Sequence, residues 1–384
     1  MSEYQYYEFQ AIDRPLSEKE MARLRTFSSR ARITPTSFVN EYDWGSFKGD
    51  EDAWMARYFD AFLYLANWGA RVVKLRLPAR LLPLRTARRY CPGDSAGAVE
   101  KSGNVIVSLV SDSEEGDWEE GEGWLASIVP VRAELARGDL RALYLGWLAC
   151  AQAGELDDDA PEPPVPPGLG ALTGSLQNLA LFLRVDEHLI AAAAEASAPA
   201  EGGGKAGEDR AVARWIAGLP AAEKDRLLMA LVRGEGAHLG NDLLARFRKE
   251  RGAAAEPASG PARTAGQLLA RAEELQRIAA EAAARKAAAA RARREAEEAA
   301  AREKRLDGLA GREPELWTKA EKSIATRAPG GYDEAVKVLL DLRDLAERSG
   351  QQADFRRKLE ALRTAHDRKP TLIKRMEKAG LRRP

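Results

Sequence analysis

Hydrophobic positions follow two regimes along the chain. Over the first 130 residues they form short dense runs between turn-forming residues, and beyond that they recur at helical spacings of three and four. YQYYEFQAI, residues 4–12, predicts an aromatic-rich strand closed by the turn Asp13-Arg14-Pro15. Ser17 with Glu20 three positions later is a capping box and predicts a helix over EKEMARLRTF. ARITPTSFVNEY predicts a second extended segment, at a sheet edge or bend because Pro35 has no N–H to donate. Asp50, followed by Glu51 and Asp52, supplies an N-cap and an acidic first turn for a second helix, which the pattern carries to Trp68 with Gly69 at its end. RVVKLRLP predicts a further strand, and AVEKSGNVIVSLVS a hairpin turning at Ser102-Gly103-Asn104.

That order predicts an α+β fold, in which an N-terminal mixed sheet packed with helices over residues 1–130 precedes a mostly α-helical remainder. Ten aromatic residues lie between Phe38 and Trp68. Trp54, Tyr58, Ala61, Phe62, Leu65 and Trp68 share one face of the second helix, and the stripe reads as a core face, with Trp44 beside Gly45 as the residue expected to be exposed.

The remainder divides by composition. Residues 131–197 predict helices interrupted by the stiff strap PEPPVPPGLG, residues 198–210 a Gly-rich linker, and residues 211–252 a helical hairpin. A second Gly/Ala/Pro/Ser linker follows. Residues 264–308 are rich in Ala, Glu, Arg and Lys, contain no Pro, and predict one long helix on the order of 60 Å, a strut without a heptad seam. Residues 312–384 predict a basic bundle of short antiparallel helices, similar in layout to a degenerate tetratricopeptide pair.

Composition narrows the function classes. The 59 basic and 59 acidic residues cancel, so any attraction to a polyanion must come from local patches. Two cysteines and three histidines, all far apart, assemble neither a disulfide framework nor a zinc motif. The N-terminus is polar and aromatic, with no leader pattern and no apolar run of membrane length, so a cytoplasmic protein is expected. No metal or cofactor motif is present. GGGKAG lacks the Ser or Thr of a phosphate loop and does not follow a strand, GEGAHLG reads as a helix end and turn, and Asp186-Glu187-His188 has no nucleophile in register.

Charge supplies the remaining candidates. No acidic residue falls between Asp60 and Asp94, and in RVVKLRLP the alternation places Lys74 and Arg76 on one face, expected to be solvent-facing and positive. Acidic stretches at residues 112–122 and 155–162 are expected partners that would mask it. Residues 355–384 carry eleven basic and three acidic side chains, a net +8, and Arg368, Lys369, Lys374, Arg375 and Lys378 are candidates for contacting an anionic partner. In the aromatic block, Asn40, Asp43, Trp44 and Asn67 form a candidate ligand site.

Two segments carry a family resemblance. WIAGLPAAEKDRLLMALVRG and the tail DLRDLAERSG…FRRKLEALRTAHDRKPTLIKRMEKAGL resemble the C-terminal helical region of some bacterial SWIM zinc-finger proteins. ITPTSFVNEYDWGSFKGD…LANWG resembles a bacterial family of uncharacterised proteins. The paired cysteines and Cys-x-His of the finger are absent, so the resemblance implies a helical accessory module and no zinc. The expected function is a non-enzymatic adaptor or scaffold binding other proteins. The alternatives are a ligand-binding or enzymatic N-terminal domain and nucleic-acid binding through the basic C-terminal bundle.

Overall fold

The computed structural model describes residues 4–45, 47–113, 119–199, 205–234, 236–250, 263–326 and 328–381. Its N-terminal part is a seven-stranded sheet in the order β2-β3-β1-β4-β5-β7-β6. The strands are β1 (Gln5–Gln10), β2 (Arg32–Thr34), β3 (Ser37–Tyr42), β4 (Ala61–Ala66), β5 (Arg71–Pro78), β6 (Ala96–Lys101) and β7 (Asn104–Ser111). Every pairing is antiparallel, so the fold is α+β as expected while the mixed sheet is corrected. The chain reaches neighbouring strands by hairpins and short helices, and none of these connections crosses over to make a parallel pair.

Two helices cover one face of the sheet at β1, β3 and β4. α1 (Glu18–Arg25) starts at the Ser17/Glu20 capping box, and α2 (Glu51–Arg57) starts where Asp50 accepts from the Ala53 N–H. Beneath them Phe9, Phe38, Phe59 and Phe62 pack around Trp54, whose ring lies 4.9 Å from Phe38 and 5.2 Å from Phe9. The other face carries Tyr6, Leu63, Leu65, Val73, Leu75 and Val107, covered by α4 (Trp124–Ile128), α5 (Pro130–Ala136), α6 (Arg141–Gln152), α7 (Gly174–Phe182) and α8 (Glu187–Ala194). The short α3 (Leu84–Arg88) links β5 to β6.

The second helix does not reach Trp68. It stops at Arg57, and residues 61–66 form β4, a central strand paired on both sides. Leu63 and Leu65 enter one core, Phe62 and Tyr64 the other. A strand buried on both faces has no polar alternation, so AFLYLA mimics the helical spacing that began at Trp54. Nor does a domain end at residue 130, because α4 to α8 belong to the same core as the sheet.

The chain divides into two compact units, residues 1–279 and 280–384. The first also contains α9 (Lys205–Gly218), α10 (Ala221–Val232) and α11 (Leu239–Glu250), three helices where two were expected. The expected 198–210 linker is helical from Lys205; residues 200–204 and the expected second linker at 251–262 lie outside the described residues. The long helix is present as α12 (Ala265–Leu309), and the division falls within it. Its start is clamped into the first unit by Arg263, which donates to Glu162 at 2.8 and 2.9 Å while Tyr144 donates to the same carboxylate. The second unit packs the end of α12 with α13 (Glu313–Ala325), α14 (Pro329–Ser349), α15 (Gln352–Ala365) and α16 (Pro370–Lys378) around Leu339, Leu342, Leu372 and Met376. Among the described residues, no helix is long and apolar enough to cross a membrane.

Candidate functional site

The aromatic candidate splits once its backbone is placed. Gln5 at the start of β1 pairs with Tyr42 on one side and Ala66 on the other, so the turns that follow β3 and β4 flank the same strand end. Asp43 and Trp44 lie in one turn, Asn67 and Trp68 in the other. Both turns are pinned. The Gln5 side-chain amide donates to the Gly45 carbonyl at 2.6 Å, and the Tyr4 N–H donates to the Asn67 side chain at 3.0 Å while the Asn67 N–H returns a bond to the Tyr4 carbonyl at 3.0 Å. Gly69, at φ +105°, must be glycine, since a Cβ there would lie 1.9 Å from the Ser113 carbonyl oxygen. Trp44 is 75% exposed, as the sequence suggested, and Trp68 is 44% exposed.

Asn40 leaves this group. It is buried beside Tyr7 on the inner face of β3, as a core residue, and does not line the exposed turns. Trp68, read from the sequence as part of a buried helical stripe, takes its place. Spacing concealed it, because Trp68 stands only two residues past the apolar run of β4.

Carboxylates gather around the Tyr4 phenol at this end. Burial raises the phenol pKa, a bond from the Gly121 N–H lowers it, and Glu41, Glu120 and Asp43 raise it further. Of the acidic stretch 112–122 expected to mask the basic strand, Glu119 pairs with Arg71, and residues 114–118 lie outside the described residues.

The basic strand is already neutralised. Lys74 and Arg76 do share the face opposite Val73 and Leu75, yet their side chains are only 13% and 11% exposed. Lys74 meets Glu51 at 3.2 Å and Asp52 at 2.8 Å, and Arg76 meets the fully buried Asp60 at 2.6 Å. The solvent-facing positive surface is therefore corrected: the acidic first turn of α2 lies over β5, and the masking groups come from α2 and residue 60. The lysine bond holds the Asp52 carboxyl below its usual range. Glu155 and Glu162 serve elsewhere, on Ser95 and on Tyr144 with Arg263.

Asp60 belongs to a chain of charges with no sequence signal, because its members are far apart in number. Its carboxylate accepts from the Ile12 and Asp13 N–H groups at 2.6 and 2.9 Å. Arg132 donates to the Arg76 carbonyl at 2.7 Å and to Asp13 at 2.6 Å, and the His238 ring lies 2.8 Å from the same Asp13 oxygen. Burial pushes the Asp13 carboxyl up, but Arg132 and then His238 outweigh it and hold it below the usual range. Arg80 grips Asp242 at 2.8 and 3.2 Å nearby. These bonds latch α11 and the turn before it onto the segments that follow β1 and β5, and no described side chain of α9 to α11 joins the hydrophobic clusters. Outward, α10 exposes Leu228, Met229, Leu231 and Val232.

In the second unit, Arg375 meets Asp333 at 2.6 Å and Lys369 donates to the Ile324 carbonyl at 3.3 Å. Arg368, Lys374 and Lys378 are exposed and have no carboxylate partner among the described residues. α16 turns Leu372 and Met376 inward, so its basic edge faces solvent. Arg382 and Arg383 lie outside the described residues.

Comparison of the chain with family models, with curated proteins and with solved structures finds no match.

Proposed function

We propose that the chain is a cytoplasmic, non-enzymatic adaptor whose two units bind different macromolecules. The observation that supports it is that each unit closes its own core and still holds outward a set of side chains its packing does not use. In the first these are Trp44 and Trp68 on pinned turns; in the second, Arg368, Lys374 and Lys378, which have no carboxylate partner among the described residues. Large exposed apolar groups and unneutralised charge clusters cost solubility or stability when nothing covers them, and binding surfaces are where they are retained. Buried charged groups point the same way, since Asp60, Arg132, Glu162 and Asp341 are each engaged in an ion pair within the fold. Burial pushes the Cys91 and Cys150 thiols up to about 12, which leaves them poor nucleophiles at neutral pH.

The test is affinity purification of the full-length protein from its own host, with and without nuclease, beside Trp44→Ala and the pair Lys374→Glu with Lys378→Glu. The expected result is that each variant loses a different subset of nuclease-resistant partners. Loss of the same subset by both, or no loss by either, overturns the adaptor reading. Partners that disappear with nuclease replace it with nucleic-acid binding by the basic edge of the second unit, which the exposed Lys374 and Lys378 on α16 also favour.

A further inference from the structure

Trp44 and Trp68 stand on turns that immobilise the backbone without burying the ring. β1 separates the two strands that lead into them, so the turns lie two strand spacings apart, about 10 Å. That separation is about three residues' rise of an extended segment, so one such segment can reach both turns. Each turn is held from a different direction: Gln5 holds Gly45, Tyr4 holds Asn67, and the Arg184 guanidinium donates to the Gly69 carbonyl at 2.8 Å. A ring presented on a fixed backbone loses little conformational freedom when it binds, which is why tryptophan is favoured at the centres of interfaces.

The charge around the rings selects the partner. Glu41 and Asp43 lie at the end of β3 where it enters the Trp44 turn, and Glu120 precedes Gly121, whose N–H donates to the Tyr4 phenol at 3.3 Å, so three carboxylates gather at this strand end, and all three raise the pKa of that phenol. The cations close to them are largely engaged: Arg71 is paired with Glu119 and packed against Trp124 and Phe182, Arg184 is bonded to the Gly69 carbonyl, and Arg32 lies 3.5 Å from Glu41. Lys48 is the opposing charge in the Trp44 loop. Indole faces attract guanidinium and ammonium groups, and carboxylates at the rim attract the same groups over longer range.

We infer that this end of the sheet is a docking surface for an extended basic segment of a partner protein, its Arg or Lys side chains stacking on Trp44 and Trp68 inside a rim formed by Glu41, Asp43 and Glu120. The inference rests on the adaptor reading and assigns the chemical class of the first unit's partner. The rings supply contact area, the carboxylates supply sign, and the pinned turns fix the spacing.

The test is fluorescence anisotropy of a labelled ten-residue peptide alternating Gly with Arg and Lys, titrated with the full-length protein at physiological salt, beside a peptide with Glu in place of each basic residue. The basic peptide is expected to bind saturably and the acidic one not to bind. Trp44→Ala and Trp68→Ala are each expected to weaken binding about fivefold, Trp44→Phe less, and Asp43→Asn with Glu120→Gln by a similar factor with a reduced salt dependence. Circular dichroism melting confirms that each variant is folded. Equal affinity in wild type and both Trp variants reduces the effect to non-specific attraction and overturns the inference, as does equal binding of the acidic peptide or no binding at all. If the basic peptide fails while Trp44→Ala still loses a partner from the host, the adaptor reading stands and only the cationic class falls.

Discussion

The ten aromatic residues between Phe38 and Trp68 separate into two kinds, which neighbours in space distinguish and neighbours in sequence do not. Phe62 is fully buried, with its ring 4.4 Å from that of Phe9, in a cluster closed by Phe38 and Trp54. Removing such a side chain loses its transfer free energy and leaves a cavity that a close-packed core cannot refill. Phe62→Ala is expected to cost about 3–5 kcal/mol. Trp44 touches little that folding brings to it, and Trp44→Ala is expected to change stability by less than about 0.5 kcal/mol. Urea denaturation of the two variants measures both, and a large loss for Trp44→Ala would mean that the ring packs in solution.

At the scale of elements, α9 to α11 are held by polar contacts where the rest of the first unit is held by apolar ones. The Asp13 carboxylate sits between Arg132 and His238, and its folded pKa lies below the ordinary Asp value of 3.8. The sign follows from the ionised form being favoured in the folded state. The stability it lends is complete above that ordinary value and is lost as pH falls through the lower folded value. Asp13→Asn is expected to cost about 2 kcal/mol at neutral pH, and its denaturation curve should approach that of the wild type below pH ~3. Urea denaturation across pH 2 to 8 checks it, and parallel pH profiles for the two proteins would remove Asp13 from the latch. The same contrast of forces explains what could be read at this scale. Caps, turn residues and helical periodicity are local, so α1, the β6–β7 hairpin and α12 were legible. The end of α2 was not, because Tyr58 to Phe62 pass from helix to strand through a segment buried whichever form it takes.

The described residues form three hydrophobic clusters, two packed against the sheet and one in the second unit. The α12 residues between Ala279 and Glu303 are exposed on every side, so their helicity rests on intrinsic propensity and on pairs such as Arg291 with Glu295 and Arg293 with Glu297. Since that stretch contributes to neither core, the two units are expected to unfold as separate transitions in calorimetry. Ala288→Pro breaks the helix there and is expected to lower helicity while moving each midpoint by no more than about 2 °C. A single transition in the wild type, or a large shift of both midpoints in the variant, would show that the cores are coupled.

By itself the sequence determined the α+β class, the long helix, the helical C-terminal bundle, the alternation that sets Lys74 and Arg76 against Val73 and Leu75, and the exposure of Trp44. These follow from backbone geometry and side-chain size over a few residues. Only the tertiary structure decided that Lys74 and Arg76 are neutralised, that Asn40 is a core residue, that Trp68 joins Trp44, and that Asp13 meets His238. Each depends on which distant segment lies across the sheet. A charge or a ring acquires its role from what stands opposite it, and no local period encodes that.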